Sequence, residues 1–300
     1  MRIAICRIQA LNHSISHRKK RGPKKGAGYI FHLNVSGPFF SPFSCGISLH
    51  RKIWTKLVLM TPLKQEFIDS CPIEGGFRMR GLEMTRIEVF VDAAFAFAVT
   101  MLVISFDAIP TSYEEVILAI KGIPAFIVAV VQLVWIWYTH NKWSRRYGLD
   151  TAMTVTLSTA LLIVVLIFIY PMRIMAEGFF FWVSRGYFHY SFDLKSIDEL
   201  SAMFVFLGIG FVALCLVFVL MYHYAGSLKK ELRLNAFESY ETRTLEYLWM
   251  GAAGVGAVCI ILAVTLPLQF VPFSGFAFAL LGGWFPFLRS RRARNLPGKG

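Results

Sequence analysis

The stretch Leu200–Tyr224, LSAMFVFLGIGFVALCLVFVLMYHY, contains no lysine, arginine, aspartate or glutamate. As a helix rising 1.5 Å per residue it would span about 37 Å, enough to cross a hydrocarbon core of ~30 Å. Five further segments share its character, at about 87–106, 122–140, 152–172, 246–267 and 270–288. Charges, prolines or glycines end them. None alternates with period two, so helices are the spanning structure they can form. A few residues around Pro267 and Pro272 separate the last two, which predicts a tight helical hairpin. The expected fold is an all-α integral membrane protein with six transmembrane helices, one repeat per chain.

Composition agrees. Hydrophobic residues make up 56% of the 300, charged residues 16%, and mean hydropathy is +0.56, whereas soluble domains are about a quarter charged. A soluble enzyme and a disordered chain are both excluded. The net charge of +13 is uneven: residues 1–65 hold 12 Lys/Arg and no acid, while residues 66–300 hold 19 against 18 acids. The five cysteines (Cys6, Cys45, Cys71, Cys215, Cys259) show neither CxxC nor Cys/His ligand spacing. They predict no disulfide framework and no metal site.

Three parts follow. Residues 1–79 form a basic extension with the cluster Arg18-Lys19-Lys20-Arg21 and no helical or strand period. A disordered arm, an organellar transit peptide, a nucleic-acid patch and a true start downstream at Met79 or Met84 all fit. The arm and the downstream start are preferred, and no nucleic-acid partner is expected. Residues 80–288 carry the six helices, and 289–300 form a basic tail.

Basic residues orient the spans. With the N-terminus inside, the inner segments after position 65 hold 15 Lys/Arg and the outer loops only four: Lys121, Arg173, Arg185 and Lys195. That alternation is the positive-inside pattern, with both termini cytoplasmic, and the cell membrane is the expected location.

No Walker loop, HExxH, GxSxG or paired metal carboxylates occur, so no enzyme, cofactor or metal is expected. The run Gly251-Ala252-Ala253-Gly254-Val255-Gly256 has no preceding strand. It reads as close helix packing, as do Gly208, Gly210, Gly282 and Gly283. Trp143, Trp182, Trp249 and Trp284 read as interfacial anchors.

The first span carries the informative residues: Arg86-Ile87-Glu88-Val89-Phe90-Val91-Asp92. Asp92 lies six residues inside Arg86, about 9 Å deeper along a helix. An ionised carboxylate there costs at least ~2.5–3.5 kcal/mol, so it faces protein or water and has a partner. A plain helix-dipole role is the simpler alternative. The second span returns to the same side and ends Trp137-Tyr138-Thr139-His140-Asn141-Lys142. His140 and Asn141 are candidate partners at similar depth, with charge from Arg86 or Lys142.

The pattern Arg86-x-x-x-Phe90-x-Asp92 resembles the RxxxFSD signature of the transmembrane protein 175 family of potassium-permeable channels. Trp137-x-x-His140-Asn141 is similar to that family's second-span ending, and Asp150 and Pro171 fit the third span's two ends. The likeness covers roughly residues 80–288. It implies a homotetramer in which the first helix of each subunit lines a central pore, with potassium ions and the bilayer as partners. The implied pore positions are Phe97, Thr100 and Ile104, on one helical face. Arg86, Phe90, Asp92, Trp137, His140 and Asn141 would form the motif network. Val91 stands where the signature has serine, and Phe97 where the family usually has Ile or Leu. The implied function is passive cation flux through an axial pore. A proton-coupled carrier using Asp92 and His140, or a non-conducting scaffold, are the alternatives.

Overall fold

Polar residues start the long helices. In the computed structural model, which describes residues 62–104, 111–190, 192 and 196–294, Ser112, Thr151, Ser196 and Asn235 each cap a helix by accepting a backbone N–H three residues on. The elements in chain order are α1 (Gln65–Ser70), β1 (Ile73–Glu74), β2 (Phe77–Arg78), α2 (Arg86–Ile104), α3 (Tyr113–Tyr147), α4 (Ala152–Val183), α5 (Ile197–Ser227) and α6 (Ala236–Thr265). A 3₁₀ segment (Leu268–Phe278) and α7 (Ala279–Ala293) follow. Helix α3, α4, α5, α6 and the stretch Gln269–Ala293 are each long and apolar enough to cross a membrane. The shorter α2, 19 residues, completes the six.

The spans lie where the hydropathy puts them, but the helices overrun them. Helix α3 has 35 residues and α4 has 32, so their ends reach beyond the hydrocarbon. Pro171 does not close its helix: α4 continues to Val183. An interior proline is tolerated where neighbouring groups re-satisfy the freed backbone. Arg173 is accordingly a buried helical residue and not a loop residue. Lys121 likewise sits in α3, its ammonium 4.8 Å from the centre of the Tyr187 ring. The last hairpin turns at Leu266-Pro267 and enters the membrane as the 3₁₀ segment, with Val271, Ser274 and Ala277 buried.

Helices α5 and α6 meet closely at glycines. A methyl group added to Gly208 would lie 2.5 Å from Ile260, and one added to Gly256 would lie 2.8 Å from Val212. Gly210 and Gly251 are covered by Phe168 and Trp284. Gly254, Gly282 and Gly283 face open space in the protomer, so the packing expectation fails there. Two of the expected interfacial tryptophans are also core residues. Trp143 is fully buried and donates to the Met221 carbonyl at 3.1 Å, and Trp249 stacks on Phe218 at 4.4 Å.

The expected boundary at residue 79 falls inside packed structure, while residues 1–61 and 295–300 lie outside the described residues. The β1–β2 hairpin inserts Phe77 and Met79 into the protein, and Phe77 meets the Tyr147 ring edge-on at 5.5 Å. Beyond it Arg80 is buried against Glu238, Nη2 to Oε2 at 2.7 Å. Arg80 also donates to the carbonyls of Leu232 and Arg78, and Glu238 accepts from the Arg78 backbone N–H. The chain passes so close to the end of α3 that a Cβ on Gly148, which has φ +57°, would sit 2.7 Å from the Arg80 carbonyl carbon. Removing one partner of a buried pair leaves an uncompensated charge and costs ~3–5 kcal/mol, while replacing both by apolar groups is often neutral. Arg80→Met or Glu238→Leu alone should therefore lower thermal stability in detergent sharply. The double variant should be clearly less destabilised than the sum of the two, though not restored, because Glu238 also accepts from the Arg78 and Asn235 backbone N–H groups. A double variant as unstable as the sum of the two would contradict the pairing.

Candidate functional site

Helix α2 divides into two faces. Val91, Phe95, Ala98 and Leu102, at spacings of four, three and four, are buried against the rest of the protein. Phe90, Ala93, Phe97 and Thr100 lie on the opposite side and are exposed, Phe97 at 58%. The stripe is apolar except for Thr100, whose hydroxyl donates to the Phe97 carbonyl at 2.6 Å. Ile104 is the last residue of α2. Val91, at the serine position of the signature, belongs to the buried face. A hydroxyl there would face the protein interior and not the stripe.

Asp92 is half-buried at the edge between these faces. Its partner is Trp137, whose indole Nε1–H donates to Oδ1 at 2.7 Å. That corrects the expectation for His140 and Asn141. His140 is buried three residues further along α3 and hydrogen-bonds Ser158 of α4 at 3.0 Å. Asn141 is half-buried and lines a cavity beside Lys142 and Arg145. Neither Arg86 nor Lys142 forms an ion pair with Asp92; Arg86 is exposed, as is Phe90. The motif residues thus gather around the α2–α3–α4 contact, but as two separate hydrogen bonds and not one network.

A second polar tether went unread in the sequence. Arg173 of α4 donates from Nη1 to the Leu102 carbonyl near the end of α2, at 3.1 Å, and from Nε to Glu177 at 3.0 Å. Both side chains are buried. The i,i+4 spacing of Arg173 and Glu177 within an apolar helix was the available signal. Ser158 had a similar one, standing four residues after the buried Thr154 on one face of α4. Chemically the site offers a carboxylate fixed by an indole, an imidazole fixed by a hydroxyl, and an uncovered apolar stripe. No hydrogen bond links Asp92 to His140.

A hydrogen bond to a charged acceptor contributes ~1.5–3 kcal/mol. Asp92→Asn and Trp137→Phe should each destabilise the folded protein by about that amount and be non-additive in the double variant. His140→Ala should add in full to Asp92→Asn, because its bond goes elsewhere. Thermal unfolding of the single and double variants in detergent reads both results.

Residues 86–171, from Arg86 of the signature to Pro171, match the family described as endosomal/lysosomal potassium channel TMEM175. A protein of Marivirga tractuosa named "Potassium channel" is 33% identical over 232 residues, covering 75% of this chain and 91% of that one. Among solved structures, a crystal structure of a variant of the potassium channel MtTMEM175, in complex with a nanobody–MBP fusion, superposes with a TM-score of 0.64 at 28% identity. It covers 74% of this chain and 98% of the channel's. Signature, six-helix architecture and relatives agree: the chain belongs to the TMEM175 potassium channel family.

Proposed function

We propose that four copies of this chain assemble around an axis with their α2 helices innermost, forming a pore that passes potassium ions down their gradient. The uncovered stripe of α2 carries this reading. Helix α2 is packed on one side by α3 and α4 and bare on the other, and its bare side presents Phe97 and Thr100 in the positions that the family resemblance gives to the pore. A ring of apolar side chains obstructs ions by excluding the water that accompanies them, so conduction requires the ring to wet. Phe97 is the bulkiest member of the stripe's middle and is the proposed constriction, with Thr100 and Ile104 the next positions along it. Arg86 and Phe90 lie at the same bare face's beginning, while Asp92 and Trp137 set the helix rather than the ion path, and His140 ties α3 to α4. The 15-to-4 division of basic residues supports cytoplasmic termini in a cell membrane.

Potassium flux into proteoliposomes tests this. A channel gives unsaturated flux independent of a proton gradient, whereas a carrier gives saturable, proton-dependent flux and a scaffold gives none. Phe97→Ala should raise the flux several-fold with oligomer size unchanged, and Phe97→Ile should give an intermediate value. Less protein with no gain in flux would remove Phe97 from the pore, because truncating a packed aromatic costs ~3–5 kcal/mol.

A further inference from the structure

Arg146 is a cation out of place. It is 8% exposed, and its Nε and Nη1 are buried without a hydrogen-bond partner. No carboxylate pairs with it among the described residues; its guanidinium carbon lies 4.7 Å from the centre of the Phe77 ring. A buried guanidinium with idle donors is costly and calls for an acceptor.

The space beside it is suited to supply one. A cleft of about 430 Å³ opens between α3, α6 and α7, lined by Arg146 together with Lys142 and Arg289 at one end and Trp135, Trp249 and Phe285 at the other. Lys142 lies within electrostatic reach of Arg146 and Arg289, and of the carboxylates Glu241 and Glu74. Neither carboxylate lines this cleft. Three cations therefore line it, and one of them, Arg146, which also borders the neighbouring cavity with Glu74 and Asn141, has unused donors. Its helix ends all lie on the side to which the basic residues assign the cytoplasm. The apolar end continues onto a bare strip of α3, where Val131, Val134 and Trp135 are exposed.

We propose that this cleft binds the phosphate headgroup of an anionic phospholipid, with Arg146, Lys142 and Arg289 holding the phosphate and the acyl chains lying along Trp135 and Val131. Guanidinium and ammonium donors to phosphate form charge-assisted hydrogen bonds, and basic pockets between transmembrane helices on the cytoplasmic side suit such headgroups. The step from basic to apolar lining within one cleft matches a lipid, which has both parts, better than a free anion, which has only the first.

The test uses the full chain purified in detergent and stripped of lipid. Binding is followed by thermal shift and by native mass spectrometry, with phosphatidylglycerol, phosphatidylcholine and inorganic phosphate as probes. Phosphatidylglycerol should bind at least tenfold more tightly than phosphatidylcholine. Arg289→Gln, at an exposed position, and Lys142→Gln should each weaken it about tenfold, equivalent to 1.4 kcal/mol, without changing the lipid-free melting temperature. Arg146→Gln should weaken it most; if that variant fails to fold, the other two decide. Equal binding of the two lipids, or binding untouched by Lys142→Gln and Arg289→Gln, overturns the proposal. So does inorganic phosphate binding as tightly as the lipid, which would assign the cleft to a soluble anion. No binding by any probe overturns it as well and leaves the cleft to a protein segment.

Discussion

The hydrogen bond from Trp137 to Asp92 is the constraint around which α2, the first membrane helix, is placed. A carboxylate about 9 Å inside the start of a membrane helix persists only if something in the low-dielectric surroundings donates to it. An indole N–H is a donor and nothing else, so it can satisfy Asp92 without demanding an acceptor or adding a second charge. Because the indole is rigid and belongs to α3, the bond also sets the rotation of α2. Turned by one residue, about 100°, Asp92 would lose its donor and Phe97 would swing off the bare face. The Arg173 bond to the Leu102 carbonyl does the corresponding work at the other end. It satisfies one of the orphan acceptors that every helix C-terminus leaves. These two polar contacts, about ten residues apart, join the hydrogen bond between Glu88 and Ser144 in holding a helix whose packed face is otherwise the apolar row Val91, Phe95, Ala98 and Leu102.

How much of this was legible in the sequence follows from what each part depends on. The six spans were legible because hydrocarbon thickness imposes a length and a composition that any sequence must show. The need of Asp92 for a partner was legible from charge and depth alone. The partner's identity was not. Trp137 and His140 are one helical turn apart, so both lie at suitable depth, and only the angle at which α3 faces α2 separates them. Sequence reasoning fixed the depth and had no access to the angle. His140 turns toward α4 and Ser158 instead.

Residues 62–80 were illegible for a different reason. Their elements are six residues and two pairs of residues long, too short to show a period, and Arg80 meets a residue 158 positions away. The partner end did carry a mark: Asn235 and Glu238 form a capping box at the start of α6. Such a box announces a helix start. It does not announce that its glutamate also receives an arginine. The same carboxylate caps the helix, accepts from the Arg78 backbone and neutralises Arg80, so the desolvation of one anion is shared among several donors.

The two faces of α2 show why the family signature is uneven in what it conveys. Asp92 answers to a partner inside the same protomer, and a change there is felt by folding. Val91 is buried on the packed face, where a methyl group in place of a hydroxyl removes a polar atom that would need an acceptor; valine is the less demanding occupant. Phe97 lies on the bare face and is 58% exposed. Its size is therefore less constrained by packing among the described residues than that of Val91 or Asp92. A phenylalanine tolerated at that position is evidence that the position is open, whereas a signature residue such as Asp92 is evidence that its position is closed around it.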